Sequence, residues 1–535
     1  MSEASDLFLG FDSSTQSLKV IAINRDLDEV YQASVNFDQD CPEFNTRGGV
    51  HHHEDGLTVT SPPQLWVRAL DILLEKMKTD GFEFSRVRGI SGSGQQHGSV
   101  YFKTGSRTVL QSLDSSRSLA EQLNDTFSVS ASPIWMDSST RAQCRHLEEV
   151  LGGAQATADL TGSRAYERFT GNQIARVAAE QFEAYAATER IALVSSFICS
   201  LFIGDYAPID TSDGSGMNLM NIQTKDWAQS ALDACAPGLR DRLGALAPGH
   251  EVAGPIHAYY VNRYGVSPDC KVMVFSGDNP CSLAGLRLQN PGDIAVSMGT
   301  SDTIFGVLKE PQPSGAEGHI FANPVDPASY MAMLCYKNGS LTREEVRDRC
   351  TEGSWEDFNA LLGINPAGNN GQIGFYFKEP EITPPMLKAG NHRFDEQGNP
   401  VDSFDPASEV RAIVEGQFLS MRHHCVSIGI KPVHILATGG GSQNSSILQV
   451  MADVFCCPVF VADSPHSAAL GAAYRALHGH ISALQGTYVP YSSILEKASP
   501  FQKAAEPHEE AHVVYTAMMR RYAALEEQIL GNETA

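Results

Sequence analysis

With 535 residues, 42% of them hydrophobic and 19% charged, the chain is long enough to bury two large cores or three small ones and too evenly mixed for extended disorder. Its 39 basic against 63 acidic residues leave a formal charge of −24, which argues against a broad cationic face for nucleic acid or anionic lipid and points to a small-molecule partner. Eleven scattered cysteines with no paired CxxC spacing give neither a zinc signature nor a disulfide framework, and the best uncharged run, Ile191 to Gly204, is too short to span a bilayer, so the expected address is the cytoplasm.

The first structured segment, FLGFDSSTQSLKVIAIN, reads as a strand ending near Phe11, a polar turn and a returning strand from Leu18 to Ile23. Ser61-Pro62 predicts the start of a helix whose Trp66, Leu70, Leu73 and Met77 form a core stripe. In VRGISGSGQQHGSVYF a strand runs into a Gly-Ser-Gly loop that presents Gln95, Gln96 and His97 at a sheet edge, the place where open α/β folds bind ligands. Arg168, in SRAYERFTGNQ, carries no local signal of its own. KVMVFSGDNPCSLAGL delivers Asp278 and Asn279 from a strand end just before Pro280, a favoured first helical residue; Asp278 is there either as an N-cap or as a general base for a hydroxyl nucleophile.

The hairpin design returns in GDIAVSMGTSDTIFGVL, with a strand to Ser297, a turn through Gly299-Thr300-Ser301 and a strand from Thr303 to Leu308. Two such hairpins so far apart indicate an internal duplication, with a boundary near Pro291-Gly292. Trp355, in SWEDF, reads locally as a helix-packing aromatic, and the Gly-, Pro- and Asn-dense stretch from Asn365 to Asp405 as a surface insertion. Asp405-Pro406 opens a helix with Val410, Val414, Phe418 and Met421 on its core face. HILATGGGSQNSSILQVMADVF gives a strand ending at Ala437, the Gly439-Gly440-Gly441 turn and a helix beginning near Asn444, where free N–H groups suit phosphate or ribose oxygens; neither the dinucleotide nor the Walker fingerprint is matched. Ala511 to Leu530 reads as a terminal helix. His51-His52-His53 and His423-His424 are not expected to hold metal, because adjacent histidines point in different directions and no carboxylate or thiol stands at metal spacing.

From Leu7 to about Gly479 the chain resembles the FGGY family of carbohydrate kinases, through FDSSTQSLKV, ISGSGQQHGS, PIWMDSSTRA, TGSRAYERFTGNQ, PIDTSDGSGMNL, FSGDNPCSLAG, VSMGTSD and ATGGGSQNSSILQVMADV. The resemblance implies an α/β fold of two ribonuclease-H-like, actin-like ATPase domains with a ligand cleft between them, residues 1–290 holding the sugar and the base and residues 291–535 the nucleotide. It implies that His97, Arg168, Asp278 and Asn279 bind the sugar, with Asp278 as catalytic base. Trp355, Gly440, Gly441 and Asn444 would line the nucleotide site, while Asp12 and Thr300 occupy the hairpin tips facing the phosphates and Mg²⁺, with Asp12 as the metal ligand. The implied reaction is ATP-dependent phosphorylation of D-xylulose to D-xylulose 5-phosphate, ahead of ribulose, gluconate or glycerol, or of an actin-like or chaperone-like ATPase. Two features depart from many relatives: Gln96 stands where bacterial members have methionine, and Ser464-Pro465-His466 where many have an acidic residue.

Overall fold

The computed structural model describes residues 6–386, 388–462 and 466–534. Ser464 and Pro465 lie outside the described residues. The chain forms two units, one made of residues 1–287, 320–330 and 466–498, the other of residues 288–319, 331–465 and 499–535.

In the first unit the strands Leu7–Ser13, Ser17–Ile23, Glu29–Asn36, Val87–Gly94, Lys271–Met273 and Val252–Pro255 share one sheet. Leu7–Ser13 is fully buried because it is covered on both faces. Its alternate residues Leu7, Leu9 and Phe11 enter one core cluster, while Phe8 enters a second with Ala469, Ala473 and Ala476 of the helix Ser467–Gln485. That helix approaches a second one, Asp278–Gly285, through glycine: a Cβ on Gly471 would lie 1.8 Å from Cys281 O, and one on Gly285 2.0 Å from Ser467 O. Only bare backbone fits there, and the contact fixes where the helix bearing Asp278 begins.

The helix Pro63–Thr79 buries Trp66, Leu70, Leu73 and Met77 as expected, but starts one residue later than Ser61-Pro62 implies. Ser61 ends the strand Val59–Ser61 and its hydroxyl donates to Gly49 O at 3.0 Å, so it is not available as a cap.

The second unit repeats the sheet. Its strands run in the order Tyr330–Tyr336, Asp302–Leu308, Asp293–Met298, His434–Thr438, Val459–Val461, Gln502–Ala505. In both sheets the hairpin is antiparallel, its first strand pairs parallel with the next element inward, a further parallel strand follows, and an antiparallel strand closes the edge. This is the expected duplication. The helix Pro406–Ser427 is capped by Asp405, whose carboxylate accepts from Ala407 N and Ser408 N, and Val410, Val414, Phe418 and Met421 are buried. The terminal helix spans Glu509–Thr534.

Asn365 to Asp405 is not merely a surface insertion. It contains the antiparallel pair Ile373–Phe377 and Gly390–Phe394, and the first strand is wholly buried. Its short run IGFYF is flanked by so many turn residues that composition averaged over the segment conceals a core strand. Among the described residues no helix is long and apolar enough to cross a membrane.

Candidate active site

Three parallel strand ends of the first unit bring its polar residues together. Asp12 lies beside Ser93, Ser13 beside Gly94, and the short strand Ser276–Gly277 pairs with Ser93 and Gly94, so Gln95 to His97 and Asp278 leave the sheet at the same edge. Asp278 is the first residue of its helix and Gly277 occupies the cap position, which puts Pro280 third in the helix rather than first and rules out an N-cap role for Asp278.

Asp278 Oδ1 accepts from Gln96 N at 3.3 Å, Asn279 N at 2.8 Å and Asn279 Nδ2 at 3.3 Å. Gln96 joins the rest: its Oε1 accepts from Asn279 Nδ2 at 2.8 Å, and its Nε2 donates to Asp213 Oδ1 at 3.4 Å. Gly277 makes room for that bridge, since a Cβ there would lie 2.4 Å from Gln96 Cγ and 2.6 Å from Asp213 Oδ1. Asp213 is buried and also accepts from Ser195 Oγ at 2.6 Å.

Protein crowding around the half-buried Asp278, together with the nearby charges of Asp12 and Asp213, raises its carboxyl to about 7. Burial, and then the charge of Asp210, raise Asp213 to about 7 as well. Asp12 is raised by burial, against the pull of the Ser93 hydroxyl at 2.6 Å and the charges of Lys19 and His466. A cluster of carboxylates with raised affinities for protons is what a general base working near neutral pH requires.

His97 has a φ of +71°, a strained backbone for a residue with a side chain. The surroundings enforce it: Nδ1 is 2.8 Å from Gly216 O, the ring stacks on Phe169 at 4.4 Å between centroids, and Thr170 Oγ1 donates to His97 O. Arg168, next to Phe169, is held by stacking, its guanidinium 5.3 Å from the Tyr166 ring centre and 5.9 Å from that of Trp135. Trp135 Nε1 in turn donates to Thr15 Oγ1 in the hairpin tip at 2.9 Å. Ser13 Oγ, beside Asp12, is buried without a hydrogen-bond partner, so hard oxygen donors suited to Mg²⁺ stand at this tip.

The second unit holds a cavity of about 450 Å³, lined by Arg343, Trp355, Asn359, Gly440, Gly441 and Asn444 among others. The structure thus gathers Trp355, Gly440, Gly441 and Asn444, four of the six residues that the family resemblance implies for the nucleotide and its phosphates, around one space. A Cβ on Gly440 would meet nothing within 4 Å, and the helix Ser445–Phe455 begins beside it, so a helix N-terminus stands at the edge of the cavity. Asn444 caps that helix and donates to Asn359 Oδ1 at 2.9 Å, while Trp355, 37% exposed, packs its edge on Phe358 with Arg347 over its face. Thr300 is exposed at the hairpin tip and does not line the cavity, although Ser340, which does, donates from its N to Gly299 O at 2.8 Å.

Family models for the N-terminal and C-terminal domains of the FGGY family of carbohydrate kinases match residues 124–285 and 294–480. The chain belongs to this family. Among FGGY relatives, a protein named xylulose kinase from Mus musculus is 55% identical over 525 residues, 98% of this chain and 94% of its own length. Xylulose kinase 2 of Arabidopsis thaliana is 51% identical over 504 residues, 92% of this chain and 90% of its own. Solved structures named as xylulose kinase from Rhodospirillum rubrum and gluconate kinase from Lactobacillus acidophilus superpose with TM-scores of 0.80 and 0.79 at 18% and 19% identity; each covers 99% of this chain, and the chain covers 100% and 99% of them. At that identity they establish the actin-like fold of FGGY kinases and not the sugar.

Sequence reading missed Asp213 and the pair formed by Asp302 and Arg343. Asp213 sits in the quoted motif PIDTSDGSGMNL, but its burial against Gln96 is a spatial fact without a linear signal.

Proposed function

We propose that the chain transfers the γ-phosphoryl group of ATP to D-xylulose, giving D-xylulose 5-phosphate, with the first unit holding the sugar and the second the nucleotide. The observation that carries this reading is the carboxylate of Asp278, held at a strand end by Gln96 and Asn279 and poised near neutrality by burial and by Asp12 and Asp213. The 55% identity to the mouse protein supports D-xylulose over other polyols. ATP supplies the phosphoryl group, and Mg²⁺ at the first hairpin tip would offset the phosphate charge. Asp278 accepts the proton of the sugar's C5 hydroxyl as that oxygen bonds to the γ-phosphorus and the bond from phosphorus to the β,γ-bridging oxygen breaks, releasing ADP, and His97, Arg168 and Asn279 orient the sugar chain. Asp12 is the residue that would ligate Mg²⁺, with Thr300 toward the phosphates. A cytoplasmic address belongs to the same reading, supported by cysteines that form no disulfide among the described residues and are for the most part buried.

The test is ADP release measured across D-xylulose, D-ribulose, D-gluconate and glycerol. D-Xylulose should give the highest kcat/KM, and a higher value for another substrate would overturn the assignment. The base must be ionised to act, so kcat/KM for the sugar should rise with pH and level off above about 7. Asp213→Asn removes one of the charges that raise Asp278, so this acid limb should move to lower pH; an unmoved midpoint would show that Asp213 does not act on the base. Trp355→Leu should raise the KM for ATP several-fold and leave that for sugar nearly unchanged, since Trp355 lines the second unit's cavity. Equal effects on both substrates would make Trp355 a packing residue.

A further inference from the structure

We propose that His423, His424 and Glu526 form a binding site for one zinc-class divalent cation that fastens the terminal helix to the helix Pro406–Ser427. The sequence argued against metal at His423-His424 because adjacent histidines point in different directions and no carboxylate or thiol stands at metal spacing. Glu526, 102 residues beyond His424 in the chain, supplies the carboxylate.

Glu526 Oε2 lies 3.2 Å from His424 Nε2 and 3.8 Å from His423 Nε2, and one ligand atom from each of the three residues lies within 4.8 Å of the others. Zinc bonds of roughly 2.0 to 2.2 Å to nitrogen and oxygen place tetrahedral neighbours about 3.3 to 3.6 Å apart, so His424 and Glu526 already stand near that separation and the His423 ring closes the sphere by moving toward them. The two imidazoles are adjacent on the helix, yet their ring centres are 5.0 Å apart and both reach the same carboxylate.

The second observation is the far side of His424. Glu317 Oε2 lies 2.5 Å from Nδ1, and Glu317 is itself held by Ser427 Oγ at 2.5 Å. A carboxylate beside the distal nitrogen of a ligating histidine is a recurrent feature of zinc sites. Glu317 and Glu526 flank one buried imidazole from opposite sides. Two imidazoles and one carboxylate suit zinc rather than Mg²⁺ or Ca²⁺, which take oxygen ligands. His423 is a third exposed, which gives the ion an entry path and leaves a coordination position for water.

The experiment is titration of the chelator-treated, full-length protein with Zn²⁺ without nucleotide, against Mg²⁺ and Ca²⁺, by calorimetry and by melting temperature. His424→Ala would strand two buried glutamates and threaten the fold, so the informative variant is His423→Ala, which keeps the His424 contacts. Wild type should bind one Zn²⁺ with a Kd below about 1 µM, as expected of a built zinc site, and its melting temperature should rise with Zn²⁺. His423→Ala should weaken binding by at least about tenfold, comparable to or beyond the loss of an outer-shell partner, with zinc-free kinase activity unchanged. Absence of stoichiometric zinc binding by wild type would overturn the proposal. So would equal binding by the variant, which would place the ion elsewhere, for example at His51-His52-His53.

Discussion

Replacing Asp278 by asparagine should lower kcat by roughly 10²-fold to 10⁴-fold, the range expected for loss of a general base. The fold should survive, because the asparagine side chain keeps an Oδ1 able to accept from Gln96 N and Asn279 N, the bonds that hold the native carboxylate. Sugar binding, which the proposed reading assigns also to His97 and Arg168, should be largely retained. Stability gives an independent check. Burial and the charges of Asp12 and Asp213 raise the Asp278 carboxyl from 3.8 to about 7 in the folded state. A carboxyl raised in this way costs the fold stability above its unfolded pKa, a cost that grows between those values and persists at higher pH. Asparagine removes it, so the variant should melt no lower than wild type at pH 8. A folded Asp278→Asn protein that keeps more than about a tenth of wild-type kcat would reduce Asp278 to a sugar ligand.

The parts of the site that could be read from sequence were those whose chemistry and local geometry coincide. FDSSTQSLKV and VSMGTSD show their hairpins because short apolar runs flank turns of small hydroxylated and acidic residues. SGDNP and GGGSQN show strand-to-helix turns because glycine, proline and a cap residue mark them. Asp213, Asp302 and Glu526 gave no comparable signal, since each matters through a partner far away in sequence: Gln96 for the first, Arg343 for the second, His424 for the third. Nothing in the linear order of Ser467–Gln485 says what its glycine admits, the backbone of Asp278–Gly285. The core strand within Asn365 to Asp405 was hidden for a related reason: burial of IGFYF depends on the helix Pro406–Ser427 that follows it, while its flanks advertise turns.

Arg343→Met should destabilise the second unit by about 3 to 5 kcal/mol, the cost of breaking a buried ion pair from one side. Arg343 and Asp302 are 2% and 0% exposed, and the guanidinium grips the carboxylate with both terminal nitrogens, at 2.7 and 3.1 Å. The same nitrogens reach Gln417 Oε1 and Ser340 Oγ, so the arginine ties the strand Asp302–Leu308 behind the hairpin tip to the rim of the second unit's cavity. Removing it leaves Asp302 charged, buried and unpaired, whereas Asp302→Asn combined with Arg343→Met removes both charges and should recover much of the loss. The double variant separates structure from function, because a refolded unit lacking the arginine still lacks the link between tip and cavity. Its KM for ATP should therefore remain raised while the KM for sugar stays near wild type. Chemical unfolding of the two single variants and the double variant measures the first effect, and steady-state kinetics the second. If Arg343→Met unfolds at the wild-type midpoint, the pair does not hold the hairpin; if the double variant has a wild-type KM for ATP, the arginine serves stability alone.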